Sequence, residues 1–470
     1  MRLVERIAVL LLIALGAGAQ QPSDFLVSPY LQLGNRPQLS ADESLSLLWH
    51  TGDSDAKWQV EVQATPGGAW KTSGSPAMHH VSIPASTIAP HRVYETELAG
   101  LKPGAEFSYR VSRNGAVVFS GQARARKAAG QPYRFAVFGD CADGSPTEAA
   151  VAYQTYLQKP DFLMITGDIV YTRGSVTEYR QKFYPYYSAK PATAATGAPL
   201  LSTMLLIGAP GNHDALHREL DQTPDAMAYF YYWSQPLNGP PGYDSVGGSE
   251  EQQKAFRQNA GTHFPDMASF SFDYGNSHWT VLDSNPYLDW SQPALAKWVS
   301  DDIAAAKGAR WHFVAFHHPG FQSSTKHFEE QQMRVLAPVL EKAGVDVVFS
   351  GHVHNYQRSV PMRFAPKPGS VGGAPDGKVN PVAGQFTLDM EFDGIHRTKP
   401  NGVIYIVDGG GGAHLYNPEQ QTERASWQSF TVKYLADIHS FSVVDIDGDR
   451  FTLKQISEEG KEVDAFTVTK

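Results

Sequence analysis

The sequence predicts an all-β sandwich over residues 25–126 followed by a larger α/β domain over residues 133–470, joined by a short linker at 127–132. Three observations predict it. Apolar and polar residues alternate with period two through the first part, the signature of strands with one buried face. Past Pro132 the pattern becomes short, wholly apolar runs separated by helical stretches, as in strands covered on both faces. Those runs end in glycine-containing polar turns, where open α/β sheets collect their ligands.

In the first part, Leu45, Leu47 and Trp49 alternate with polar residues, as do Trp58, Val60 and Val62, and Phe107, Tyr109 and Val111. Gly52-Asp53, Pro66-Gly67-Gly68, Pro103-Gly104 and Asn114-Gly115 supply the turns. The stretch Leu98–Phe107 resembles the corner of a fibronectin type III sandwich, with Phe107 where that corner usually carries tyrosine. Lys127–Pro132 reads as the linker.

In the second part the apolar runs are Phe135–Phe138, Phe162–Ile165, Trp279–Leu282, Phe313–Phe316, Val345–Phe349 and Val403–Val407. Helices are predicted over Thr147–Lys159, with Ala149, Val151 and Ala152 inward, over Leu295–Lys307 closed by Gly308, and over Phe328–Lys342. Pro361–Pro381, rich in Pro and Gly, reads as a long loop, and the last forty or so residues return to strand-like alternation.

The bulk numbers narrow the function. With 42% hydrophobic and 19% charged residues, wholesale disorder is excluded. A formal charge of −9 argues against nucleic acid or anionic lipid as a broad partner, so an anionic substrate needs a local positive centre. Arg2 and Arg6, the apolar run Ile7–Leu15 and the small-residue step Ala17-Gly18-Ala19 predict a signal peptide over residues 1–19 and a secreted or periplasmic protein, with no stable membrane span. The single cysteine, Cys141, allows no internal disulfide and reads as a buried small apolar residue.

The chemistry lies in five ordered blocks at predicted strand ends: Gly139-Asp140, Gly167-Asp168-Ile169-Val170-Tyr171, Gly211-Asn212-His213-Asp214, Val314-Ala315-Phe316-His317 and Gly351-His352-Val353-His354. Any one aspartate before a turn reads as a turn former or helix cap. Two Asp, a Tyr, an Asn and three His together form an oxygen and nitrogen donor set without sulfur, suited to iron, zinc or manganese. Histidine is locally dense, with six of the seventeen between His312 and His354. His312 and His318 read as structural or supporting residues. Gly409–Gly412 lacks the phosphate-loop pattern and reads as a strand turn near the site.

In these blocks the chain resembles the calcineurin-like metallophosphoesterases, and through the tyrosine of the second block their purple acid phosphatase branch. The usual glycine two places after the first aspartate is Ala142 here. The resemblance implies iron(III) held by Asp140, Asp168, Tyr171 and His354, and a divalent ion (zinc, iron or manganese) held by Asp168, Asn212, His317 and His352, with Asp168 bridging. It places His213 and His327 against the phosphate as catalytic residues. The implied activity is hydrolysis of small phosphate monoesters by a metal-bound hydroxide, without a covalent enzyme intermediate. Two alternatives are a phosphodiesterase or nucleotide-cleaving enzyme on the same metals, and an exported binding protein with a vestigial site. The sandwich offers His50, His79, His80 and His91 in no ligand block, and is expected to pack or recognise rather than catalyse.

Overall fold

The computed structural model describes residues 24–215, 219–374, 377–379 and 381–470. The expected signal segment lies outside them. Among the described residues no helix is long and apolar enough to cross a membrane.

The first eight strands form two four-stranded antiparallel sheets. Val27–Gln32, Glu43–Gly52, His91–Leu101 and Ala77–Val81 make one, in that order; Lys71–Thr72, Trp58–Gln63, Glu106–Arg113 and Ala116–Arg124 make the other. Leu45, Leu47 and Trp49 of the first sheet share one core with Val60, Val62, Phe107, Tyr109 and Val111 of the second. Asn114 and Gly115 both have positive φ (52° and 88°), so they close the last hairpin as a tight two-residue turn whose twist matches its strands.

The expectation of one buried face fails for Glu43–Gly52, where every residue but Gly52 is buried. The outward residues are covered by the following domain. Leu48 and Val93 join a core that includes Tyr184, Tyr232 and Leu200. Tyr30 donates its hydroxyl hydrogen to the Tyr232 carbonyl at 2.7 Å and accepts from His50 Nε2 at 2.9 Å. Tyr109 reaches across to the Ser202 carbonyl at 2.8 Å. Arg126, buried at the end of the sandwich, pairs with buried Glu43 at 2.7 Å and also reaches the Asp273 carbonyl.

This joint carries a pH dependence. His91 Nε2 lies 2.9 Å from the Tyr232 hydroxyl, near Arg180 and beside His50, whose ring in turn meets Tyr184. Burial and the Arg180 charge lower its pKa to about 4, and burial lowers that of His50 as well. The unfolded chain, with histidine near pKa ~6.5, therefore binds protons that the folded joint refuses, and stability falls as pH drops from about 6.5 towards 4. At pH 5 the His91 contribution is about 2 kcal/mol. Melting temperature should fall through this window, and His91→Gln should flatten the fall; an unchanged profile in the variant would assign the acid sensitivity elsewhere.

The second part holds two larger sheets. We label its elements β1 (Tyr133–Phe138), α1 (Pro146–Gln158), β2 (Phe162–Ile165), β3 (Leu205–Gly208), β4 (Ser277–Leu282), α2 (Pro293–Ala305), β5 (Trp311–Phe316), α3 (Ala337–Ala343), β6 (Val347–Ser350), β7 (Ile404–Asp408) and β8 (Ser440–Asp447). One sheet runs β3-β2-β1 in parallel, then antiparallel through β8 to the last two strands. The other has β4-β5-β6-β7 in parallel, flanked by antiparallel strands. Phe135 of β1 meets Trp279 of β4 and Phe349 of β6 with ring centroids 5.1 and 6.0 Å apart, so the sheets pack face to face. Ala136, Phe138, Leu163 and Ile165 are buried on the outer face of the first sheet, and Val314, Phe316 and Val348 on that of the second. That double covering explains the unbroken apolar runs.

Three sequence expectations are corrected. The helix expected over 295–307 starts at Pro293, which tolerates the first turn because no N–H is needed there, and ends at Ala305 with Ala306 as its cap rather than under a Gly308 cap. The helix expected over 328–342 is only a 3₁₀ turn, Gln332–Leu336, followed by α3 with its left-handed cap at Gly344. Pro338 has no N–H for a bond back to Arg334, so the helix cannot run through it. Of the loop expected over 361–381, Met362–Pro366 pairs antiparallel with Gly384–Leu388.

Candidate metal centre

The five blocks meet at the carboxyl ends of β1, β2, β3, β5 and β6. Asp140, Asp168 and His352 carry the left-handed conformation themselves, with φ of 58°, 48° and 67°. Such backbone is costly for residues with a Cβ and is kept where the surroundings enforce it. Here the loops are tied to one another: the N–H groups of Asp140, Cys141 and Ala142 donate to the carbonyls of Gly167, Asp168 and Ile169. Ala142 is fully buried in this ladder, so the missing glycine leaves the turn intact. A Cβ on Gly211 would stand 2.1 Å from Asp168 Oδ1, which is why that block opens on glycine. Buried Asp214 accepts from the N–H groups of Gly211 and Ile169, binding the second block to the third.

Two groups of donors share this space. Tyr171 donates to Asp140 Oδ1 at 2.9 Å and stands 3.0 Å from His354 Nε2, itself 3.3 Å from Asp140 Oδ1. His317 Nε2 lies 3.2 Å from Asp168 Oδ1, 3.0 Å from Asn212 Oδ1 and 3.2 Å from His352 Nδ1. The ligand atoms of Asp168, His317 and His352 all lie within 4.8 Å of one another.

The outer ring nitrogens settle which atom each histidine turns inward. A carbonyl only accepts, so His317 Nδ1 carries the hydrogen given to Thr166 and His354 Nδ1 the one given to His414, at 2.9 and 2.7 Å. Glu330 takes the His352 Nε2 hydrogen at 2.8 Å. In their neutral forms His317 Nε2 and His352 Nδ1 then present lone pairs to each other and to two oxygens, an arrangement that requires a cation between them. A proton fills that need in part: burial opposes it, but the Asp168 and Asp140 carboxylates lift the His317 pKa to about 9. Burial likewise opposes ionisation of Asp168, yet His317, His213 and His352 outweigh it and hold the carboxyl far below its usual range. Burial, Asp140 and Asp168 push the Tyr171 phenol well above 10. By donor chemistry and orientation, the residues fit two metal ions.

His213 sits above Tyr171, ring centroids 4.7 Å apart, with Nδ1 on the Thr172 carbonyl and Nε2 3.8 Å from Asp168 Oδ2. His327, in a turn with φ 58°, lies 4.2 Å from the His352 ring. The seven residues assigned as ligands and the two assigned as catalytic are thus all at the cluster. The sandwich histidines stay away from it, and His312 is within β5. Cys141 is buried and donates to the Ile169 carbonyl. A cleft of about 620 Å³ between the sandwich and the end of α1, lined by Arg124, Tyr156 and Lys159, contains none of the cluster residues.

Two residues escaped sequence reasoning. Glu330 joins His327 Nδ1 at 2.6 Å to His352 Nε2, and its spacing of three from His327 was the available signal. Tyr416 stacks on His354 at 4.0 Å from a distant loop, with no signal in sequence. Glu330 is placed to fix the His352 tautomer. Replacing it with Gln should lower metal affinity or turnover by about 10–100-fold, the usual effect of losing such a support. Unaltered metal titration and kinetics would deny it that role.

Residues 133–356 match the family model described as calcineurin-like phosphoesterase. This domain is a calcineurin-like phosphoesterase. Around it the chain is 23% identical to purple acid phosphatase 18 of Arabidopsis thaliana over 325 residues, 68% of this chain and 64% of that protein. To purple acid phosphatase 21 of the same plant it is 27% identical over 278 residues, 58% of this chain and 54% of that one. The matches thus span less than two thirds of the length of these relatives. In three dimensions, the purple acid phosphatase PPD1 from yellow lupin seeds superposes with a TM-score of 0.66 at 18% identity, covering 94% of this chain and 74% of that one. The likeness takes in the β-rich first part as well as the phosphoesterase domain.

Proposed function

We propose that the chain is an exported binuclear-metal phosphatase that hydrolyses small phosphate monoesters. The observation that carries this reading is the pair of inward lone pairs on His317 and His352, set by outer hydrogen bonds and closed by Asp168 and Asn212, beside the Asp140, Tyr171 and His354 group. In this reading Asp140, Asp168, Tyr171 and His354 hold iron(III), and Asp168, Asn212, His317 and His352 hold zinc, iron(II) or manganese. Such a pair supplies activated water and stabilises charge on attacking and leaving oxygens. The positive centre also lets an acidic protein attract a phosphate ester.

The protein's own residues do the rest. His213 and His327 flank the cluster, partly exposed at 27% and 24% of their side chains, so both can meet an incoming phosphate. Glu330 holds His327 Nδ1, which leaves Nε2 to face the substrate and to pass a proton to the departing alkoxide. Export rests on the residue 1–19 pattern, and the division at 127–132 on the change of periodicity. Elemental analysis of purified protein, with phosphate release measured from a monoester and a diester in parallel, tests the reading. At least two metal ions per chain and faster monoester turnover are expected. Faster diester turnover would overturn the substrate class, and absent turnover in fully loaded protein would overturn the enzyme.

A further inference from the structure

We propose a third divalent-cation site on the outer side of His352, formed by His318 Nε2, Glu330 Oε2 and His352 Nε2, and suited to zinc. Nothing in the five blocks includes His318 or Glu330. Ligand atoms of the three residues lie within 4.8 Å of one another. His318 is buried at the end of β5, its Nδ1 3.0 Å from Ser284 Oγ and its ring 4.3 Å from that of His352. Its Nε2 stands 3.9 Å from Glu330 Oε2, too far for a hydrogen bond. Two ligands about 2.1 Å from one zinc ion at a tetrahedral angle stand about 3.4 Å apart, so the pair closes by about half an ångström as the ion enters.

The chemistry is consistent. With Nδ1 of His318 against Ser284 Oγ, its Nε2 is left turned towards Glu330. A neutral His318 imidazole, the Glu330 carboxylate and the His352 imidazolate that bridging creates present two negative charges to a divalent ion, and with three protein ligands the fourth position is open to water. His352 would serve both sides, Nδ1 inward and Nε2 outward. On entry of the ion the Nε2 hydrogen now given to Glu330 leaves to solvent, and a metal bond replaces the hydrogen bond. Glu330 keeps Oε1 on His327, so the ion sits one carboxylate away from that histidine.

The site rests on these contacts, while its distinction as a third position rests on the two-metal reading above. Zinc alone is the probe. Metal-stripped protein saturated with zinc should bind one equivalent more as wild type than as His318→Asn. Asp168→Ala should lose the inner ions yet keep one, which Asp168→Ala/His318→Asn loses. Equal stoichiometry with and without His318 in both backgrounds overturns the outer site. Full wild-type stoichiometry in Asp168→Ala would instead overturn the inner assignment. Should His318→Asn fail to fold, anomalous diffraction at the zinc edge from wild-type crystals decides: a peak bounded by His318, Glu330 and His352 is expected, and density confined to the Asp168 side overturns the proposal.

Discussion

Asp168→Ala is expected to lose metal from both inner positions and to lower turnover by more than about 10³-fold, beyond what removal of one preorganised donor costs. The reason is position. Oδ1 of Asp168 lies 3.2 Å from His317 Nε2 and accepts from the His213 N–H at 2.8 Å, and a Cβ on Gly211 would stand 2.1 Å from it. In the proposed assignment it alone serves both ions. His327→Ala removes only a proton donor and should cost about 10²-fold. The folded state should survive the change. Burial first, and then the Asp168 charge, push the neighbouring Asp214 up to about 7, so removal of Asp168 relieves a repulsion between carboxylates. Metal content by elemental analysis, phosphate release and melting temperature separate these effects, with Asp168→Asn as the isosteric control. Near wild-type metal and turnover in Asp168→Ala would show the cluster to be misassigned.

The site was legible because its parts are local. A short apolar run followed by Gly-Asp or Gly-His states both a covered strand and the turn at its end, and five such statements in order place the donors at one edge. What was illegible is tertiary. Burial of the second face of Glu43–Gly52, with Leu48 and His50 on it, was not legible because nothing in the first hundred residues says that another domain lies against it. Tyr416 lies sixty-two residues beyond His354 in sequence and touches it only through the fold. Glu330 was hidden by a helix drawn through it. Pro338 argued against that helix, and the left-handed backbone at His327 and the turn after it bring His327 and Glu330 to the cluster. Sequence does not show that three of the sharp turns fall on Asp140, Asp168 and His352 themselves.

Tyr171→Phe is expected to bleach the oxidised, iron-loaded protein without unfolding it. The phenol is 7% exposed, donates to Asp140 and faces His354 Nε2, so Phe fills the same space and loses one oxygen. Burial and two carboxylates keep that phenol protonated at any ordinary pH, well above its usual ~10. Only a strong Lewis acid reverses such a bias, and iron(III) is the hard ion that suits a phenolate, whereas zinc or manganese(II) gives no visible charge-transfer band. Wild type with iron should therefore be violet to pink and the variant colourless at the same iron content. The Asp140 oxygen left without its donor makes a loss of stability of about 1–3 kcal/mol the upper bound in metal-free protein. Turnover should fall less than in Asp168→Ala, because Asp140, Asp168 and His354 still surround the ion. A colourless wild type with one iron per chain would sink the tyrosinate and leave the phosphoesterase domain with a different ion beside Asp140. An equally coloured Tyr171→Phe would move the chromophore to another residue, with Tyr416 against His354 the next phenol in reach.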